Sequence, residues 1–139
     1  MSNPHRKVQL LRRLARMREV ERRAAALRVA EAAGLHGKQL TLQSRSGQIA
    51  HAYADHTSAH DAGELAGRLR FVAGLQAILR ETEGDRRKAE ANNQEAVSQL
   101  KLAERRRDVT GERLAAEKLA AQNVLQARQN PILARKLKG

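Results

Sequence analysis

The stretch VAGLQAILRETEGDRRKA, residues 72–89, opens a repeat that decides the fold of this chain. Two series of positions, seven residues apart, start at Val72 and Leu75 and continue to Ala121 and Val124, and ten of their sixteen residues are apolar. Such a repeat indicates a helix that packs along a second helix through a coiled-coil seam, and its polar interruptions help to set the register. The series are Val72, Leu79, Arg86, Asn93, Leu100, Arg107, Leu114 and Ala121, and Leu75, Thr82, Ala89, Ala96, Ala103, Thr110, Glu117 and Val124.

The first half of the chain has a less regular apolar pattern. Its larger apolar residues predict one buried face, which drifts as expected of a helix that is not strictly supercoiled. Three glycines each cost about 1 kcal/mol in a helix interior, so a break of the first helix near them is an alternative. The predicted face consists of Leu10, Leu14, Met17, Ala24, Leu27, Leu35, Leu42 and Ile49, and the glycines are Gly34, Gly37 and Gly47.

A bend near residue 60 follows from these two patterns. The only prolines are Pro4 and Pro131, so the chain between them can be helical. A long amphipathic helix needs a partner to bury its apolar face, and folding near residue 60 supplies one of similar length. Asp61 and Glu64 would place negative charge in the first turn of the second helix, where the helix dipole favours it.

The predicted fold is therefore all-α, a long antiparallel two-helix coiled-coil hairpin that occupies the chain as a single unit. The first helix is expected over about residues 5–56, the bend over 57–60, the second helix over about 60–129, and a tail over 130–139.

Charge is concentrated at the two ends of the chain. Lys and Arg number 27 against 15 Asp and Glu, which gives a net charge of +12. Residues 1–34 hold nine basic and three acidic residues, and residues 108–139 hold six and three, so the ends carry +9 of that charge. If the ends lie side by side, they form a basic tip that attracts an acidic protein surface, anionic lipid or nucleic acid.

Composition excludes several other classes of protein. The chain has no cysteine, which excludes disulfides and thiolate ligands, and it has no apolar run of the roughly 20 residues that a membrane span requires. Its N-terminal stretch has no uninterrupted apolar core or cleavage site, so no secretory signal is predicted. A cytoplasmic location is the default expectation.

Three histidines cluster in HAYADHTSAHD, residues 51–61. His56 and His60 have the spacing of one helical turn, but no HExxH motif and no fourth ligand accompany them. Asp55 and Asp61 are equally explained as turn and cap residues. The stretch therefore predicts polar residues at an exposed bend, with no metal. No phosphate-binding loop, nucleophile elbow or dinucleotide motif is present, so we expect no enzyme activity and no cofactor.

Four stretches resemble the FliJ family of flagellar export proteins. They are LLRRLARMREVERRAAALRVAEA at residues 10–32, IAHAY at 49–53, RFVAGLQAIL at 70–79 and EKLAAQNVLQARQ at 117–129. The lone Tyr lies before the bend and the lone Phe after it, in a basic, cysteine-free chain. The resemblance covers nearly the whole chain. It implies a hairpin similar to the stalk of rotary ATPase gamma subunits.

The resemblance also implies partners and contact residues. It implies a non-enzymatic stalk at the flagellar base, peripheral to the inner membrane, that enters the ring of the export ATPase FliI, contacts the export gate FlhA, escorts export chaperones and is a monomer when free. The implied gate contacts are Ile49, Tyr53, Phe71, Leu75, Ile78 and Thr82; for Leu75, the seam is the favoured interpretation. The implied ring contacts are Arg12, Arg13, Arg16, Arg22, Arg23, Arg128, Arg135 and Lys136.

The sequence is also compatible with other classes of protein. A stalk of a virulence secretion system shares the same architecture. A basic helical nucleic-acid-binding protein is the runner-up, because the charge gives salt-dependent phosphate binding, although the two aromatics are not interleaved with the Arg clusters. Weak non-specific binding to nucleic acid or anionic lipid is expected in any case. A generic coiled-coil adaptor, whose hairpins self-associate into a four-helix bundle, is the third alternative.

Overall fold

The structure of the chain is a computed structural model that describes residues 3–55 and 61–130. It contains two long helices that pack against each other, α1 over Pro4–Asp55 and α2 over Ala62–Gln129. This arrangement confirms the predicted all-α helical hairpin. The glycines of the first half do not interrupt α1. The predicted bend over residues 57–60 lies outside the described residues, as do the tail residues from 131 onward.

Side-chain caps begin both helices. At the start of α1, the Asn3 Oδ1 atom accepts a hydrogen bond from the His5 backbone N–H at 3.1 Å. At the start of α2, the Asp61 Oδ1 atom accepts one from the Glu64 backbone N–H at 2.6 Å. Each oxygen satisfies a backbone donor that has no partner within the helix. Asp61 therefore caps α2 from the position before the helix, and of the two predicted first-turn acids only Glu64 lies in the first turn.

The helices run antiparallel through two compact units, Met1–Ala26 with Gln99–Gly139 and Leu27–Ser98. We call them the terminal unit and the central unit. In the terminal unit, a carboxylate oxygen of Glu19 lies 3.9 Å from Arg107. In the central unit, Gln43 donates a hydrogen bond to Glu83. Residues of α1 therefore meet residues of α2 in a regular antiparallel register.

The seam of α2 lies where its repeat predicts it. Thr82, Ala103 and Thr110 are buried, with 4%, 8% and 6% of their surface exposed. Every other position of the two series is half-buried except Val124, which is 38% exposed. Contact with α1 therefore follows the seven-residue repeat from one end of α2 to the other.

The predicted buried face of α1 is wrong. Met17, Leu27 and Leu35 are about 60% exposed, Leu10, Leu42 and Ile49 are also exposed, and Leu14 is half-buried. A smaller and more polar stripe faces α2 instead, because the alanines of the α2 seam let the backbones approach closely and leave room only for short side chains or extended polar ones. This stripe is Val8, Leu11, Ala15, Arg18, Arg22, Ala25, Val29, Ala32, His36, Gln39, Gln43, Ser46 and Ala50.

The seam of the central unit contains polar atoms that lack hydrogen-bond partners. His36 Nε2, Gln39 Oε1 and Asn93 Oδ1 are shielded from solvent, and none of them has a partner among the described residues. A buried polar atom without a partner lowers the free energy of unfolding by about 1–3 kcal/mol. The contact between the helices in this unit is therefore weaker than its length suggests.

Candidate functional sites

A glutamate and two arginines form the same charge cluster once in each helix. In α1, Glu19 accepts hydrogen bonds from Arg22 Nη2 at 2.8 Å and from Arg23 Nε at 3.2 Å. In α2, Glu83 accepts them from Arg86 Nη2 at 2.8 Å and from Arg87 Nε at 3.2 Å. These distances and the helical spacing favour strong, two-pronged pairs. Each glutamate also meets the opposite helix, so both clusters help to hold the helices in register.

The arginines lower the pKa of both carboxylates. For Glu19, hydrogen bonds from Arg22 lower the pKa most. Desolvation raises it, hydrogen bonds from Arg23 lower it further, and the resulting pKa is about 2 instead of 4.5. Hydrogen bonds from Arg86, and then from Arg87 and Gln43, act against desolvation and leave the pKa of Glu83 at about 2 as well. The hydrogen bond to Glu83 in turn raises the pKa of Arg86. The two clusters therefore stay charged at any physiological pH.

Acid is expected to weaken the hairpin through these two glutamates. Their folded-state pKa of about 2 is lower than the 4.5 of an ordinary glutamate, so their contribution to stability is present above pH 4.5 and is lost as the pH falls towards 2. The midpoint of thermal unfolding, followed by circular dichroism, should therefore fall across this window. An E19Q/E83Q variant should unfold at a lower temperature at neutral pH and lose less on acidification.

A matched variant separates this effect from the general cost of low pH. Glu31 and Glu112 are exposed and form no ion pair with another described residue. The E31Q/E112Q variant should keep the full acid sensitivity of the original chain. Equal acid sensitivity in the E19Q/E83Q variant would show that the two clusters do not carry it.

A groove with an apolar floor and a basic rim lies in the terminal unit, between the start of α1 and the end of α2. Val8, Ala121 and Leu125 contribute to its floor, and Arg12 and Arg128 to its rim. Among the residues that the structure describes, no acidic side chain lines it; the remaining lining residues are Asn3, Pro4, His5, Lys118, Gln122 and Val124. We call it the basic groove. Its basic and apolar lining, from the start of α1 and the end of α2, suits an anionic segment with apolar side chains.

The predicted ring-contact arginines do not all lie at this groove. Arg12 and Arg128 line it, and Arg13 and Arg16 are exposed elsewhere on the terminal unit. Arg22 and Arg23 are engaged with Glu19 as described above. Arg135 and Lys136 lie outside the described residues.

Lys118 and Leu125 are among the residues of the groove that the sequence prediction of contacts misses. Both directly follow positions of the α2 repeat, Glu117 and Val124, just as Arg12 directly follows Leu11 of the α1 stripe. The position directly after a seam residue is therefore the signal that could identify these groove residues. Using that signal requires knowing which residues of α1 form the seam.

Two aromatic rings from opposite helices meet in the central unit. The rings of Tyr53 and Phe71 have centroids 4.3 Å apart and are tilted by 36°. Each side chain is still 44% exposed. Ile49 precedes Tyr53 by one turn of α1, Ile78 follows Phe71 by two turns of α2, and both are about half exposed. We call these four residues the aromatic patch.

The six predicted gate-contact residues therefore separate into two groups. Ile49, Tyr53, Phe71 and Ile78 form the exposed patch, while Leu75 is half-buried in the seam. Thr82 is only 4% exposed, and its hydroxyl donates a hydrogen bond to the Ile78 carbonyl oxygen at 2.7 Å. The structure places Thr82 between the helices, where a partner at the surface does not reach it.

The histidine cluster forms no metal site in the part of the chain that the structure describes. No group of three or more His, Asp or Glu side chains there is arranged to hold a metal ion. His51 is exposed at the end of α1. His56 and His60, which have the spacing of a ligand pair, lie outside residues 3–55 and 61–130.

The features described so far define the chain as a helical hairpin with two candidate contact surfaces, the basic groove and the aromatic patch. Comparison with known protein families, curated proteins and solved structures finds no match. Over the described residues, neither helix has a stretch long and apolar enough to cross a membrane.

Proposed function

We propose that this chain is a non-enzymatic coiled-coil component of a flagellar-type protein export apparatus. In this role it is the central stalk of the export ATPase ring, couples the ring to the export gate and escorts export chaperones. The observation that carries the proposal is the aromatic patch. The only Tyr and the only Phe of the chain come from opposite helices and stack, yet both remain exposed. Exposed aromatic clusters are common anchors of protein interfaces.

The basic groove supports a second contact, with the ATPase ring. Its apolar floor and its rim of Arg12 and Arg128 fit an acidic or carbonyl-rich surface. This pairing of a helical hairpin with a basic terminal surface is what the resemblance to the FliJ family implies. A location at the cytoplasmic side of the flagellar base is part of the same proposal.

The export ATPase of the same organism provides the first test. Adding the purified chain is expected to stimulate ATP hydrolysis and ring assembly. An R12E/R13E/R16E/R128E variant should lose that stimulation, because four exposed cations of the terminal unit become anions. Reversal of four exposed cations of the central unit, R45E/R70E/R80E/K88E, should preserve it. Absence of both stimulation and association with the original chain would overturn the stalk assignment.

The aromatic patch provides a separate test on the export gate. We expect a Y53A/F71A variant to bind the cytoplasmic part of the gate at least about tenfold more weakly, because truncated aromatic anchors commonly cost that much affinity. The matched control, L40A/L69A, removes exposed apolar side chains from other positions of the same two helices. Titration calorimetry measures both affinities. Equal binding by the two variants would show that the patch is not the gate contact.

The basic groove also favours a second candidate function, binding of nucleic acid. Its described lining holds the three cations Arg12, Lys118 and Arg128 and no acidic side chain, so it would attract phosphate groups. Binding carried by charge alone weakens steeply with salt, whereas a dedicated site resists it. Tight binding of RNA or DNA that survives moderate salt would therefore favour this function over the export stalk.

A further inference from the structure

All of the net charge of the chain belongs to the terminal unit. Its two stretches, Met1–Ala26 and Gln99–Gly139, hold 18 basic and six acidic residues, whereas Leu27–Ser98 holds nine of each. The central unit is therefore neutral overall, and the terminal unit carries the whole +12. An anionic surface is attracted to the terminal unit and not to the central one.

A second cationic groove lies in the terminal unit, on the face opposite the basic groove. Four arginines line it, and no acidic side chain does so among the residues that the structure describes. Arg106 and Arg113 of this groove directly precede seam residues, whereas Arg12 of the basic groove directly follows one. Residues before and after a seam position point to opposite sides of the helix pair. The lining consists of Leu11, Leu14, Arg18, Arg105, Arg106, Val109, Thr110 and Arg113.

The arginines of this groove are available to an anionic partner. Arg105, Arg106 and Arg113 are exposed and form no ion pair with another described residue. Arg18 pairs with Glu21 at 3.0 Å, but its Nε atom is shielded and has no hydrogen-bond partner among the described residues. Cations set close together repel one another, and an anionic partner relieves that repulsion.

Large aliphatic side chains extend the same face beyond the groove. Each directly precedes a seam residue, as Leu14 of the groove does, and all of them are exposed: Leu10, Met17, Leu102 and Val109. The positions that directly follow the seam over the same stretches carry no large apolar side chain; they are Gln9, Arg12, Arg16, Glu19, Lys101, Glu104, Asp108 and Gly111. We call the groove and these aliphatic residues together the arginine face.

We propose that the arginine face binds an anionic membrane surface. Its aliphatic side chains enter the headgroup layer, and its arginines contact lipid phosphates. Cations beside exposed aliphatic residues are the pattern of helices that lie along a membrane interface, where apolar burial and attraction to anionic lipid act together. The inference does not rest on the proposed export function.

The extent and chemistry of the face favour a lipid layer over other anions. Arg105 and Arg113 are eight residues apart, about 12 Å along the helix, so one small anion does not reach both. A layer of headgroups meets them together. Nucleic acid would use the arginines and leave the aliphatic side chains in water, since single strands stack on aromatic rings and the face contains none.

Binding of the purified full chain to vesicles tests the proposal. Co-sedimentation should show binding to vesicles of equal parts phosphatidylcholine and phosphatidylglycerol, and little binding to phosphatidylcholine alone. The R106E/R113E variant should bind the anionic vesicles at least about hundredfold more weakly, since each cation at an anionic surface contributes about fivefold. The R16E/K101E control makes the same change in net charge on the opposite side of the terminal unit. Because those cations lie about a Debye length from the lipid, it should lose about tenfold or less.

The aliphatic side chains should contribute separately from the charges. An L10Q/M17Q variant is expected to bind the anionic vesicles about tenfold more weakly or less tightly still, because apolar burial strengthens interfacial binding. The matched L40Q/L69Q variant replaces exposed leucines of the central unit and should bind as the original chain does.

A fluorophore at two neighbouring positions shows which side of the helix pair meets the lipid. The chain has no cysteine, so A116C and A115C each provide one site for a polarity-sensitive dye. Ala116 directly precedes a seam residue, Ala115 directly follows one, and both are exposed. On anionic vesicles, the emission of labelled A116C should shift to the blue, while that of labelled A115C stays unchanged.

Several results would overturn the proposal. Absence of binding to the anionic vesicles would do so and would leave the arginine face to an acidic protein surface. Equal losses in R106E/R113E and R16E/K101E, full binding by L10Q/M17Q, or equal emission shifts at the two dye positions would show that charge alone holds the chain at lipid. Circular dichroism confirms that each variant keeps its helices. None of these measurements uses an export protein, so the proposed function is tested separately.

Discussion

Replacing the seven interior glycines of the two helices with alanine is expected to raise the free energy of unfolding by about 6 kcal/mol. Each glycine in a helix interior costs about 0.8–1 kcal/mol relative to alanine. Apart from the backbone of the same helix turn, no heavy atom lies within 4 Å of the Cβ that alanine would add at any of the seven, and none of the seven has a positive φ. The residues are Gly34, Gly37, Gly47, Gly67, Gly74, Gly84 and Gly111.

Chemical denaturation monitored at a helix band of circular dichroism measures this gain. Gly63 is an internal control, because a Cβ there would lie 3.4 Å from the Asp61 Oδ1 atom that caps α2. G63A should therefore yield less than the interior substitutions. The reverse change at exposed alanines, A33G/A77G, should lower the free energy of unfolding by about 2 kcal/mol. An unchanged midpoint in the seven-residue variant would contradict this prediction.

The second large effect is expected from the polar seam of the central unit. The H36L/Q39L/N93L variant should raise the free energy of unfolding by at least about 3 kcal/mol, since it removes three shielded polar atoms that have no partner. Leucine is comparable in size to the side chains that it replaces, so the variant changes the volume of the seam little.

Exposed positions supply the comparison for this variant. Q48L/Q76L/Q94L introduces the same number of leucines at the surface, where such changes alter stability by about 0.5 kcal/mol or less. Thermal and urea unfolding of both variants decide the matter. If the seam variant is no more stable than the original, the three polar groups are satisfied in solution and do not weaken the contact.

The sequence predicts the buried seam of α2 correctly and the buried face of α1 wrongly. On α2, the repeat from Val72 to Val124 identifies the seam position by position, because large and small apolar residues both fall on it. On α1, the bulky residues such as Leu10, Met17 and Leu42 lie outside the seam, while Arg22, Gln43 and Ser46 lie in it. The size of an apolar side chain predicts its burial poorly where the opposite helix is rich in alanine. The two backbones then lie close together, which favours short or extended side chains between them.

The candidate sites show the same division. Tyr53, Phe71, Ile49 and Ile78 can be grouped from their helical spacing once the register is known, and the charged chain ends point to the basic groove. The groove's own lining and the burial of Thr82 cannot be read from the sequence, because both depend on which flank of α1 faces α2.

The polar composition of the central seam implies that the chain does not open uniformly. Protection of backbone amides against hydrogen exchange reflects the free energy of the smallest opening that exposes them. Around Ala25 and Ala103 the seam is closely packed, and its amides should exchange only when the whole hairpin comes apart. Around His36, Gln39 and Asn93 the helices should separate locally at lower free energy. The aromatic patch therefore lies in the central unit, whose helices are expected to separate at the lower free energy.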